Sequence, residues 1–266
     1  MKRRRKLIVT LAVVALAILF LAVLMRRRDS VQLTKQIKLA PSPTNTVIDR
    51  PSVDLRTYKV ALAKLENDRL ALWSRYQRAT TPSERNSIIN QARESFERAV
   101  FDGVFPYWYG TKWDFNGTTE RPGEGKIACG YFVATVLRDV GMRVQRTRLA
   151  QQASENIILS LTTNYHTKRF RQVPINSFVE SVRSWGTGLY MVGLDVHVGF
   201  ILNRDGEVYF IHSSYVDPYC VVIERGVESQ ILGASRYRVL GKISEDDDLI
   251  LKWLRSDPFM TRDAAT

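Results

Sequence analysis

The chain is poor in the residues that build disulfide scaffolds and compact zinc sites. Its 266 residues include only two cysteines, Cys129 and Cys220, and three histidines. Two cysteines cannot form the set of crossed disulfides on which small secreted domains depend. No Cys-x-x-Cys pair occurs either, so the sequence gives little support to a zinc site built from Cys129 and two distant histidines. We predict no metal site, and we interpret Cys220 as a small buried strand residue.

A basic excess is missing from the part of the chain that we expect to fold. The whole chain carries 39 Lys and Arg against 27 Asp and Glu, a formal net charge of +12. The first 50 residues hold 11 of those basic residues and only two acidic ones, which leaves 28 basic and 25 acidic residues for the remainder. The basic character therefore belongs to the N-terminal segment, and nucleic acid is not an expected partner.

One long hydrophobic run is present, from Leu7 to Met25, and only Thr10 interrupts it. A helix of this length reaches about the ~30 Å thickness of the hydrocarbon core of a bilayer. A cleaved signal peptide would need a small-residue site after a shorter apolar core, yet the only Ala-x-Ala, Ala15 to Ala17, lies inside the run. The sequence therefore predicts an uncleaved membrane anchor at residues 1–28.

The flanking charges predict the orientation of this anchor. Five basic residues, Lys2 to Lys6, precede the run, and three, Arg26 to Arg28, follow it. The more basic side stays in the cytoplasm. We expect a single-pass protein of the bacterial inner membrane, with its domain on the periplasmic or extracellular side. Residues 29–51 are polar and contain Ala-Pro-Ser-Pro at positions 40–43, which predicts a linker.

Helices are expected on both sides of Thr81. From Leu55 to Tyr76 apolar residues recur at helical spacing, and Thr81-Pro82-Ser83-Glu84 has the pattern of a capped helix start. We assign residues 52–101 to a helical segment with a packing or spacing role. The Gly- and Trp-rich stretch from Tyr107 to Lys126 is predicted to be a surface loop.

Residues 102–243 have the order of an α+β domain, with one helix followed by an antiparallel sheet. An apolar stripe from Phe132 to Val140, which ends at Gly141, places Cys129 at the start of the helix. Short β-rich runs follow, at Leu189 to Gly193, Val196 to Leu202, Glu207 to His212 and Cys220 to Glu224. The polar stretch from Gln145 to Ser184 stays unassigned, and His166 within it is predicted to be a solvated loop residue.

Residues 244–266 are predicted to form a C-terminal helix and tail. The acidic run from Glu245 to Asp248 complements the positive end of this helix.

Two histidines fall on neighbouring strands. If Asn203 to Gly206 form a four-residue turn, Leu202 pairs with Glu207, and His197 then lies directly opposite His212. Two imidazoles at that distance can share a hydrogen bond in which one orients the other. A thiolate at a helix start beside such a pair is the arrangement of a nucleophile, a base and an orienting residue. Cys129, His197 and His212 are therefore the candidate catalytic residues.

At these residues the sequence resembles the NlpC-type family of papain-like cysteine peptidases, over roughly residues 105–240. The motifs that carry the resemblance are Pro106-Tyr107-Trp108-Tyr109-Gly110, Ala128-Cys129-Gly130-Tyr131-Phe132-Val133, His197-Val198-Gly199-Phe200, Phe210-Ile211-His212-Ser213-Ser214 and Tyr237-Arg238-Val239-Leu240. The resemblance implies a papain-like fold in which Cys129 attacks a carbonyl, His197 moves the proton and His212 orients His197. It also implies that Tyr107 helps to bind the oxyanion, and that no metal or cofactor is needed.

The expected function is cleavage of an amide bond, with peptidoglycan stem peptides as the substrate that the resemblance favours. The family has an acidic residue before its cysteine, whereas this chain has Ala128. That departure keeps two alternatives open. One is acyl transfer, deamidation or ester hydrolysis on the same fold, and the other is a non-catalytic binding module held at the membrane.

Overall fold

The structure is a computed structural model that describes residues 54–263. The predicted anchor at Leu7 to Met25 and the predicted linker at 29–51 lie outside the described residues. Within 54–263, no helix is both long enough and apolar enough to cross a bilayer.

The described chain has an α+β architecture built on a six-stranded antiparallel sheet. The helices are α1 (Leu55–Arg78), α2 (Pro82–Arg98), α3 (Phe105–Trp108), α4 (Cys129–Asp139), α5 (Arg146–Ala150), α6 (Ser154–Leu159), α7 (Ile175–Trp185), α8 (Gln230–Ala234) and α9 (Asp247–Arg255). A π-helical turn (Ala99–Val104) joins α2 to α3, and a 3₁₀ turn (Asn164–His166) precedes β4.

The strands are β1 (Lys112–Trp113), β2 (Lys126–Ile127), β3 (Arg143–Val144), β4 (Thr167–Arg171), β5 (Gly188–Leu194), β6 (Val198–Arg204), β7 (Glu207–Ser213), β8 (Val221–Arg225), β9 (Tyr237–Lys242) and β10 (Pro258–Phe259). The main sheet has the order β4-β9-β5-β6-β7-β8. Two short parallel pairs, β1 with β2 and β3 with β10, lie outside it.

The first two helices begin where the sequence predicts capping residues. Asp54 accepts the N–H of Arg56 at 2.9 Å, and Thr81 and Glu84 cap each other's backbone at the start of α2. The predicted helix start at Thr81 is therefore confirmed. Arg69, buried on α1, donates to the carbonyls of Trp253 and Leu254 at 3.1 and 2.6 Å. These bonds tie α1 to the end of α9, and the two helices share one hydrophobic cluster.

The two faces of the main sheet are covered by different helices. One face presents Phe200 to Phe132 of α4, with ring centroids 6.1 Å apart. The other face presents Ile201 and Phe210, which belong to the same buried cluster as Phe178 of α7. Because side chains alternate along a strand, each strand residue is assigned to one of these two layers.

Three local predictions are wrong. Tyr107 lies in the short helix α3 rather than in a surface loop, since the fully buried Trp108 anchors that segment. Cys220 is only partly buried and makes an isolated bridge to Lys112 before β8 begins. His166 is not a free loop residue, because its Nδ1 lies 2.8 Å from a carboxylate oxygen of the buried Asp246.

Candidate active site

Cys129 is the first residue of α4. The residue before it, Ala128, has no side-chain oxygen to cap the helix, so no capping residue accepts the first backbone N–H groups of α4. Burial raises the pKa of the Cys129 thiol, and hydrogen bonds from the backbone N–H groups of Val198, Gly130 and Cys129 offset only part of that effect. The thiol is therefore protonated at neutral pH, although the residue keeps part of its surface open to solvent.

The start of α4 is fixed in position by contacts with the strand that carries His212. The hydroxyl of Ser213 donates to the carbonyl of Ile127 at 2.7 Å. On the other side, Gly130 approaches α5 so closely that a Cβ would lie 2.2 Å from the carbonyl oxygen of Ala150. Any larger residue at position 130 would push α4 away from α5.

His197 and His212 form a hydrogen-bonded pair. The Nε2 of His197 lies 3.0 Å from the Nδ1 of His212, and the two rings are perpendicular. Both residues are buried, with exposed fractions of 3% and 0%. His197 precedes β6, where its carbonyl accepts the N–H of Leu194 at 2.8 Å and so closes the β5–β6 hairpin.

The register that predicted this pair was wrong by two residues. The β6–β7 turn is the two-residue loop Asp205-Gly206, whose φ angles are +54° and +79°, and Arg204 pairs with Glu207. Asp-Gly tolerates these left-handed conformations, which makes the two-residue turn stable. Extending the ladder puts Gly199, not His197, opposite His212. The histidines meet diagonally, because a shift of two residues keeps every side chain on its face.

Cys129 approaches the start of β6, the strand that His197 precedes. Val198 is the first residue of β6, and its backbone N–H lies close enough to the sulfur of Cys129 to favour the thiolate. The histidines lie on the face covered by α7, where the ring of His212 stacks on Phe210 at 4.0 Å between centroids. Since α4 packs on the opposite face, its first residue, Cys129, approaches the sheet at Val198, the residue after His197.

The remaining ring nitrogen of His197 is buried without a hydrogen-bond partner. This Nδ1 does not bond the Cys129 thiol in the resting geometry. Catalytic hydrogen bonds in ligand-free structures are often long and tighten only when substrate binds. His197 is therefore a neutral imidazole with one free nitrogen, and Cys129, which approaches the neighbouring residue Val198, is a neutral thiol.

No protein-family model, curated protein or solved structure matches this chain.

Two residues of the site were missed by sequence reasoning. The Nε2 of His212 lies 3.2 Å from a carboxylate oxygen of Glu224, and Tyr215 lies edge-on to His197 with ring centroids 5.1 Å apart. Tyr215 is also close enough to Cys129 for a thiolate there to raise the pKa of its phenol, which burial already raises. Glu224 is the last residue of a predicted strand. Its position opposite β7 was not predicted, because an irregular loop precedes β8.

Tyr107 packs against the helical segment. Its ring centroid lies 4.9 Å from that of Tyr58, and the hydroxyl of Tyr58 donates to Asp139 at 2.6 Å. This contact links Tyr107 to α1 and to the far end of α4. Its oxyanion role stays a prediction.

The zinc alternative can be compared with the geometry of the site. Within residues 54–263, no group of three or more His, Cys, Asp or Glu side chains is arranged to hold a metal ion. The facing nitrogens of His197 and His212 bond each other instead.

The histidine pair should make the fold sensitive to acid. Burial lowers the pKa of both imidazoles, and the positive charge of protonated His212 lowers that of His197 further. In the unfolded chain both imidazoles become protonated at pH ~6.5, whereas in the folded protein they stay neutral to lower pH. We expect the free energy of unfolding to fall as the pH drops below about 6.5, by up to about 1.4 kcal/mol per pH unit for each histidine.

Urea unfolding at a series of pH values from about 7 to 5 measures this slope. The double variant His197→Gln, His212→Gln should show a flatter dependence in the same window. An unchanged slope would mean that other groups cause the acid sensitivity.

Proposed function

We propose that this chain is a membrane-anchored cysteine hydrolase of the papain-like, NlpC type, which cleaves an amide bond in peptidoglycan stem peptides. The observation that supports the proposal most strongly is the buried, unpartnered Nδ1 of His197, one residue before Val198, whose backbone N–H approaches the thiol of Cys129. A buried nitrogen without a partner costs free energy, so its retention is explained if it accepts a proton during a reaction.

In the proposed reaction the sulfur of Cys129 bonds to the substrate carbonyl carbon while its proton passes to Nδ1 of His197. The resulting imidazolium is held by His212 through the existing bond at Nε2. The negative charge on the carbonyl oxygen faces the uncapped N–H groups at the start of α4, with Tyr107 as a further proposed donor. His197 then protonates the leaving amine as the C–N bond breaks.

A thioester on Cys129 remains after the amine leaves. Water attacks it and gives a proton to the neutral His197, and the thiol is restored when the C–S bond breaks. Because the pKa of the thiol is raised and that of His197 is lowered, proton transfer accompanies the attack instead of preceding it. Activity should therefore persist below pH ~6.5, the ordinary pKa of a histidine.

Digestion of purified cell-wall material tests the function. We expect the full-length chain in mild detergent to release peptide fragments, and Cys129→Ala to release none above background. Cys220→Ala is the matched control, because it removes the other thiol and should retain activity. If wild type and Cys129→Ala release fragments equally, the proposal fails.

A second candidate function is acyl transfer, deamidation or ester hydrolysis by the same residues. Ala128 favours it, because the acidic residue that would position a stem peptide in the resembling family is absent. Product masses from a panel of amide and ester substrates, each with and without an amine acceptor, distinguish these reactions.

The proposed membrane location follows from Leu7 to Met25 and from the flanking charges.

A further inference from the structure

The histidine pair continues into a second hydrogen bond, which ends on a carboxylate. Nε2 of His212 bonds Glu224 at 3.2 Å, while Nδ1 of His212 bonds Nε2 of His197 at 3.0 Å. Glu224 pairs with Phe210 across β7 and β8, which places its side chain on the same sheet face as His212. The row runs from Glu224 through both imidazoles to the unpartnered Nδ1 of His197.

This row fixes the position of each imidazole proton. A carboxylate only accepts hydrogen bonds, so Nε2 of His212 must carry its proton. In a neutral ring the other nitrogen is then bare, so Nδ1 of His212 accepts from Nε2–H of His197. Nδ1 of His197 is bare in turn, which is the form that a general base requires.

The opposite assignment would disable the base. If His212 carried its proton on Nδ1, it would donate to Nε2 of His197, and His197 would hold its proton on Nδ1. That nitrogen could not accept the proton of Cys129. Without an acceptor at Nε2 of His212, the two sets of tautomers would make nearly the same hydrogen bonds.

We infer that Glu224 is a positioning residue that acts through His212 to hold His197 in its base-competent tautomer. The inference rests on the proposed function for its catalytic meaning, but the tautomers themselves are measurable without a substrate.

The surroundings of Glu224 support a fixed orientation. Ser229, the buried capping residue of α8, accepts the N–H of Leu232 at 3.2 Å, and its hydroxyl helps to lower the pKa of the Glu224 carboxyl. Burial opposes the charge of Glu224, but the bonds from His212 and Ser229 outweigh it and lower the pKa of the carboxyl. Glu224 is therefore ionised at neutral pH. The other titratable groups beside the row are Tyr215 at His197 and the thiol of Cys129.

Imidazole ¹⁵N NMR of the full-length chain in detergent tests the assignment directly, because the sequence contains only three histidines. We expect His197 and His212 both to be protonated at Nε2 in the wild type, and Glu224→Leu to give a second tautomer at both. Glu228→Gln is the matched control, since Glu228 bonds the exposed Arg225 and lies outside the row. His166 is an internal reference.

Activity on a p-nitrophenyl ester gives the second readout. Glu224→Leu should lower kcat by about tenfold or more, because the fraction of His197 in the active tautomer falls. Glu224→Gln keeps a hydrogen-bond acceptor but removes the negative charge. Because the protonated histidines then lose a counter-charge, the fall in activity at acid pH should move to lower pH. A residue that only packs would leave the acid limb in place.

The possible outcomes separate the two claims. If the wild type shows Nδ1–H at His212, or if Glu224→Leu leaves both tautomers unchanged, the inference is overturned. If the tautomers shift as expected and neither protein transfers an acyl group, the inference stands and the proposed function fails.

Discussion

Replacing His197 by alanine should lower kcat/KM for acyl-group cleavage by about 10²- to 10⁴-fold, the range over which a positioned general base acts. The loss should appear in kcat, because His197 is buried and contributes little surface to substrate binding. Ester hydrolysis followed by absorbance measures it, and circular dichroism verifies the fold.

His166→Ala is the matched control for this substitution. His166 bonds Asp246 at the cap of α9, outside the site, so its loss should leave kcat/KM within about twofold of the wild type. Equal activity of His197→Ala and the wild type would remove His197 from the mechanism.

Gly199→Ala should have the second largest effect, although glycine has no side chain to take part in the reaction. An added Cβ would lie 2.8 Å from the carbonyl oxygen of Ile211 and 2.9 Å from Cβ of His212. The carbonyl belongs to the β6–β7 ladder and cannot yield without disturbing it. We expect a loss of about 1–3 kcal/mol in stability and, because His212 is displaced, a fall of about tenfold or more in kcat/KM.

Gly233→Ala provides the comparison, since no atom lies within 4 Å of the Cβ that it would add. The thermal unfolding temperature of Gly233→Ala and its rate of ester hydrolysis should be close to those of the wild type. If Gly199→Ala kept full activity despite a lower stability, the exact placement of His212 would not matter for the reaction.

The sequence predicted the nucleophile helix because its apolar stripe and its terminal glycine are local features. The start of α4 at Cys129 follows from such neighbours along the chain. The histidine pair was predicted for a reason that was partly wrong. Side chains along a strand return to the same sheet face every two residues. A register error of two residues therefore left His197 and His212 on one face, where they form a hydrogen bond.

Other parts of the fold depend on long-range packing that no local pattern encodes. Strand β4 reads Thr-Lys-Arg-Phe-Arg and lies at the edge of the sheet, where charged residues are favoured and the alternation of a buried strand is lost. Glu224 reaches His212 only through the β7–β8 pairing, which follows a long irregular loop. The approach of Cys129 to the start of β6 also depends on long-range packing, so the sequence did not predict it.

The measurement that tests the central claim most directly is acylation of the cysteines by p-nitrophenyl acetate, followed by peptide mapping on the full-length chain. The wild type should form a thioester on Cys129 much faster than on Cys220, and His197→Ala should abolish that difference. Both thiols have a pKa that burial raises, so a faster reaction at Cys129 requires help from the imidazole. Equal acylation of the two cysteines in the wild type would contradict the account and leave a binding module as the better explanation.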